Sequence, residues 1–125
     1  MITVFSVPKP FEGHIGIIQC NAIKSWKKLD PECEIILYGN EKGVKEIAEK
    51  FDLIHIPDIK KNSFGTPTLE FIFNHVQINA KNDILCYTNS DIILFTDLMI
   101  YKRVYEYIDR NRAGGVRFNM VIEDI

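Results

Sequence analysis

The chain has 125 residues, 46% of them apolar and 26% charged, which suits one globular domain spanning 1–125 and argues against disorder. Fifteen basic residues against seventeen acidic ones leave a formal charge of −2. That is too little basic excess for a surface that must neutralise several phosphates, so no nucleic acid partner is expected. No apolar run approaches the ~18 residues of a membrane span, and the first residues lack the pattern of a secretory signal, so no membrane span and a cytoplasmic location are expected.

The first strand is expected at 2–7, a short apolar run closed by Pro8. Ile15, Ile18, Ala22, Ile23 and Trp26 then recur at the offsets of one helical face, predicting a helix over about 14–28. A second strand follows at 34–38, a short helix at 41–50 with Val44, Ile47 and Ala48 on one stripe, and a third strand at 52–56. Thr66 reads as an N-cap and Pro67 as the first helical residue, where its missing N–H costs nothing. Leu69, Ile72, Phe73, Val76 and Ala80 carry that helix to residue 80. A fourth strand is expected at 83–87. A fourth helix at 97–110 buries Leu98, Tyr101, Tyr105 and Ile108, and a last strand at 116–121 follows Gly114 and Gly115.

Strands that alternate with helices pair in parallel through right-handed crossovers. The expected fold class is therefore α/β, a three-layer α/β/α arrangement around a mostly parallel sheet. Ligands of such sheets bind beyond the carboxyl ends of the strands, which makes four loops the candidates.

The first loop holds Ser6, Val7, Pro8, Lys9, Pro10 and Phe11 and lacks both the G-x-G-x-x-G fingerprint and a Walker A sequence. Its prolines and phenylalanine read either as an apolar wall for a flat base or as a plain turn. The second, Gly39-Asn40-Glu41, offers an amide and a carboxylate for a base edge or ribose, or for capping the next helix. The third, 58–66, is basic and rich in turn formers. In the fourth, Thr88-Asn89-Ser90-Asp91 interrupts an apolar run of about a dozen residues. A buried Asp91 there needs a cation or backbone donors, whereas an Asx-type turn explains the same residues without a ligand. Cys20, Cys33 and Cys86 form no C-x-x-C, and His14, His55 and His75 share no metal-ligand spacing.

Taken in order, several runs resemble the donor-binding half of a GT-A-type glycosyltransferase, of the nucleotide-diphospho-sugar transferase family. They are Phe5-Ser6-Val7-Pro8-Lys9-Pro10-Phe11, Gln19-Cys20-Asn21-Ala22-Ile23-Lys24-Ser25-Trp26, Glu34-Ile35-Ile36-Leu37-Tyr38-Gly39-Asn40-Glu41, Gly65-Thr66-Pro67 and Tyr87-Thr88-Asn89-Ser90-Asp91-Ile92-Ile93-Leu94. The resemblance implies a Rossmann-like GT-A fold, truncated, and transfer of a sugar from a nucleotide-diphosphate sugar to an acceptor hydroxyl with Mn²⁺ or Mg²⁺. In that family the last aspartate of a D-x-D motif ligates the metal, which implies Asp91 here, with Asn89 at the first aspartate's position. It also implies nucleotide-sugar contacts from Ser6, Val7, Pro8, Asn40, Glu41, Asn89 and Ser90, and it assigns no catalytic base. Enzymes of the family are usually longer. The chain is therefore expected to be a fragment of a longer enzyme, or a small variant completed by a partner or by a second copy in a homodimer. A non-catalytic nucleotide or nucleotide-sugar binding module is the alternative, favoured by Asn89.

Overall fold

A computed structural model describes residues 2–29, 33–92 and 118–122, the last as backbone. In chain order the elements are β1 (Ile2–Ser6), α1 (Gly13–Leu29), β2 (Glu34–Tyr38), α2 (Val44–Phe51), β3 (Ile54–Ile56), α3 (Leu69–Asn79), β4 (Ile84–Thr88) and β5 (Phe118–Ile122). The strands form one all-parallel sheet in the order β3-β2-β1-β4-β5.

The near-continuous apolar strands follow from burial on both faces. Successive strand residues point to opposite faces, and the packing divides accordingly. Ile2 and Val4, Ile35 and Leu37, and Ile84 and Cys86 pack with Ala22, Ile23 and Trp26 of α1 and with Val44 and Ala48 of α2. Phe5, Ile36, Tyr38 and Leu85 pack on the other side with Ile72 and Val76 of α3 and with Ala80. Helices thus cover both faces, and each fully buried large side chain is worth roughly 1.5–3 kcal/mol. Phe5 anchors the α3 side through edge contacts with Phe73 and Tyr38, at ring separations of 5.2 and 6.4 Å.

At the amino end of the sheet, the Glu34 carboxylate accepts from Thr3 Oγ1 and from the Lys81 backbone N–H, both at 2.8 Å. Asn82 Nδ2 donates to the Ile2 carbonyl, which ties β1 to the turn before β4.

Three expectations are corrected. The helix read from Thr66 begins at Leu69, with Thr68 at the N-cap. The Thr68 N–H and hydroxyl both donate to the Lys60 carbonyl, and Pro67 pairs with Lys61 in an antiparallel bridge. A turn competes with the helix and prevails: Asn62 Oδ1 accepts from the N–H groups of Phe64 and Thr66, and Gly65 supplies a φ of +80°. Phe64 stands at its tip, 91% exposed.

The third strand loses its first two expected residues to the end of α2. Asp52 takes a left-handed C-cap conformation and Leu53 N–H bonds the Ala48 carbonyl. Ile15 and Leu69, expected on buried stripes, are 47% and 53% exposed because each sits in the first turn of its helix, beyond the sheet's cover. The strand expected at 116–121 is β5, at Phe118–Ile122. The helix expected at 97–110 lies outside the described residues. Among the described residues no helix is long and apolar enough to cross a membrane.

Candidate functional site

Sheet topology decides where the site is. The helices after β1 and β2 cover one face and the helix after β3 covers the other, so the chain reverses its winding between β1 and β4. Connections leave those two carboxyl ends in opposite directions and open a crevice between them. It has a volume of about 170 Å³ and is lined by Val7, Lys9, Ile15, Ile18, Gln19, Asn89, Ser90 and Asp91.

Each wall is held by specific bonds. Gln19 clamps the Lys9 backbone, its Oε1 accepting from the N–H at 2.8 Å and its Nε2 donating to the carbonyl at 2.9 Å. The opposite wall is a turn in which Ile92 N–H bonds the Asn89 carbonyl at 3.2 Å. Buried Trp26 on α1 donates its indole N–H to the Ile92 carbonyl at 2.9 Å, fastening that turn to the helix layer. Beneath both, Ser6 Oγ donates to the Thr88 carbonyl at 2.5 Å and lies 2.6 Å from Ser90 Oγ.

A second depression, about 240 Å³, opens beyond β1 and β2 and is lined by Val7, Pro8, Lys9, Pro10, Gly39, Asn40, Glu41, Ile59, Lys61 and Pro67. Val7 and Lys9 belong to both hollows, so they adjoin. The first and fourth candidate loops meet in the crevice, although 82 residues separate Ser6 from Thr88 in sequence, and the first, second and third meet in the depression.

Of the expected nucleotide-sugar residues, Val7, Pro8, Asn40 and Glu41 line the second depression, and Asn89 and Ser90 line the crevice. Ser6 is fully buried and lines neither of these two hollows. Phe11 is turned away from the expected wall: its N–H bonds the Lys42 carbonyl, and it packs against Gly43 and the α1–α2 core. Gln19, Lys61 and Ile59 were not singled out as site residues in the sequence. Gln19 carried one usable signal, a polar residue beside the apolar stripe of α1.

Asp91 is exposed, which corrects the premise that it needs a partner to offset burial. Within that quartet Thr88 and Ser90 are the buried residues, Ser90 being 5% exposed. A carboxylate and an amide oxygen supplied by Asp91 and Asn89 suit a hard cation that phosphate oxygens and water complete. Among the described residues no three His, Cys, Asp or Glu side chains gather to hold a metal unaided.

Three other groups are structural. Tyr38 is buried with its hydroxyl 2.8 Å from His75 Nδ1, and burial, with the Glu34 charge adding, pushes that hydroxyl well above the usual tyrosine range. Burial, with Cys33 adding, pushes the Cys86 thiol up to about 12, which leaves it inert. His55 Nε2 donates to the Gly39 carbonyl at 2.7 Å and steadies the loop after β2.

No family model matches the sequence, no curated protein matches it, and no solved structure matches the fold.

Proposed function

We propose that the chain is a GT-A-like, Rossmann-like donor-binding unit that holds a nucleotide-diphosphate sugar and serves transfer of its sugar to an acceptor hydroxyl. One observation carries the reading: the crevice at the winding reversal adjoins the depression beyond β1 and β2 through shared Val7 and Lys9. A nucleotide has the same bipartite chemistry, a flat base joined to anions and a polyol.

Pro8 and Pro10 supply an apolar wall for the base, with Asn40 and Glu41 available to its polar edge. Lys9, common to both hollows, meets the phosphates between base and sugar. Asp91 and Asn89 would supply oxygen ligands to Mn²⁺ or Mg²⁺, with the diphosphate and water left to complete its shell. When bound, such a cation stabilises the charge that develops on a departing diphosphate. Gln19 keeps the Lys9 backbone from shifting, and Trp26 keeps the Asn89 turn against α1. Work in the cytoplasm, where the three cysteines stay reduced, belongs to the same reading, as does completion of the site by a second copy.

The test is a thermal-shift panel of the purified chain against UDP, GDP, ADP and CDP and their common sugar conjugates, with and without Mn²⁺. A base-selective rise that grows with the cation supports the reading, and flat traces for every nucleotide refute it. Asn89, one charge short of a paired-carboxylate metal site, favours a second reading as a binding module without turnover. Release of nucleoside diphosphate from a bound conjugate separates the two.

A further inference from the structure

The floor of the crevice has a fixed hydrogen-bond polarity. Ser6 owns one hydroxyl proton, and its Oγ lies 2.5 Å from the Thr88 carbonyl oxygen, an atom that only accepts. Two oxygens that close need a proton between them, so the Ser6 proton is committed to Thr88. Ser6 Oγ is also 2.6 Å from Ser90 Oγ, and with its own proton engaged it accepts there. The Ser90 hydroxyl therefore donates downward to Ser6. Ser90 is 95% enclosed yet lines the crevice, and its hydroxyl has only lone pairs left to offer.

We propose that Ser90 Oγ is an oriented acceptor for a ligand hydroxyl, and that Ser6, acting through it, is a positioning residue. This deepens the donor-site reading and rests on it. The crevice then selects the polyol part of the ligand, a ribose or a sugar ring. A phosphate oxygen at Ser90 Oγ sets lone pair against lone pair, so the phosphates are directed to Lys9 and to a cation at Asp91 and Asn89. The chain thereby distinguishes a hydroxylated ligand from its deoxy counterpart at a point the carboxylate does not control.

The experiment measures Kd for UDP, GDP, ADP and CDP, for their 2′-deoxy and 3′-deoxy forms, and for UDP-glucose and UDP-2-deoxyglucose. It is run on the unaltered chain and on Ser90→Ala and Ser6→Ala. The unaltered chain is expected to favour at least one hydroxylated form by about tenfold, the weight of one hydrogen bond. The nucleotide series assigns that hydroxyl to the ribose and the conjugate series to the sugar. In Ser90→Ala the preference falls to near one. In Ser6→Ala it also falls, although Ser90 remains, because the Ser90 proton is released. Loosened folding weakens both members of each pair together and leaves their ratio unchanged, so the ratio reports polarity alone. Nucleotides that bind with no hydroxyl preference, or a preference that survives Ser90→Ala, overturn the oriented acceptor and leave the donor site standing. No binding to any nucleotide overturns both.

Discussion

Replacing Trp26 with phenylalanine tests whether the turn after β4 is held from the helix layer. Trp26 is fully buried and its indole N–H donates to the Ile92 carbonyl at 2.9 Å, so Trp26→Phe removes both ring volume and a donor. The smaller ring leaves roughly 40 Å³ unfilled, about 1 kcal/mol at about 24 cal/mol per Å³. Depriving a partly buried carbonyl of its donor adds about 1–2 kcal/mol. The sum, about 2–3 kcal/mol, lowers Tm by roughly 6–15 °C for a chain of this size. Trp26 is the single tryptophan, so unfolding is followed by far-UV circular dichroism in urea rather than by indole fluorescence. Amide hydrogen exchange supplies the local readout, and faster exchange over 89–92 is expected beyond the global loss. A loss below about 1 kcal/mol with exchange over 89–92 unchanged refutes the anchoring argument.

Glycines 43 and 65 separate backbone strain from crowding. Both have positive φ, but a Cβ at Gly43 meets Phe11 Cβ at 2.8 Å whereas one at Gly65 meets nothing within 4 Å. Gly65→Ala is expected to cost about 1 kcal/mol and Gly43→Ala about 2–3, measured by urea unfolding; equal costs refute the contact. Asp91→Ala, at an exposed position, is expected to change stability by less than about 0.5 kcal/mol while abolishing any Mn²⁺-dependent gain in nucleotide affinity. Mn²⁺-dependent binding that survives in this variant removes Asp91 from the cation site.

The Cys86 thiol, raised from 9.0 to about 12 on folding, contributes stability that is fully present below pH 9. Above that the unfolded chain ionises while the folded chain does not, so stability falls by about 1.4 kcal/mol per pH unit. Between pH 9 and 10 the unaltered chain is expected to lose more stability than Cys86→Ala, with Tyr38 common to both; parallel slopes refute it.

Much of the fold was legible because local periodicity reports burial. Alternating strand and helix patterns, the apolar runs of β1, β2 and β4, and the stripe Ala22-Ile23-Trp26 all correspond to faces that pack. Where local signals competed, the reading slipped. Thr66-Pro67 has the letters of a helix start, yet the Asn62 turn and the Lys61–Pro67 bridge bind the same backbone groups and delay the helix to Leu69. At Asp52 a helix cap displaced the strand for the same reason. Asn89, Ser90 and Asp91 were legible as a polar interruption, but not which of them faces water. That depends on Trp26 and Ser6, residues remote in sequence that pull Ile92 and Ser90 inward and leave Asp91 exposed.

The sequence by itself determined the alternation of elements, the parallel sheet with two buried faces, and the loops able to carry polar chemistry, because each depends on spacing within a dozen residues. Only the tertiary structure decided the strand order β3-β2-β1-β4-β5, and with it the adjacency of Val7, Lys9 and Ser90 around one crevice. Spacing shows that a strand must bury both faces, but which strand lies beside it is settled by long-range packing. That packing brought the end of β1 against the end of β4 and committed the Ser6 proton to Thr88.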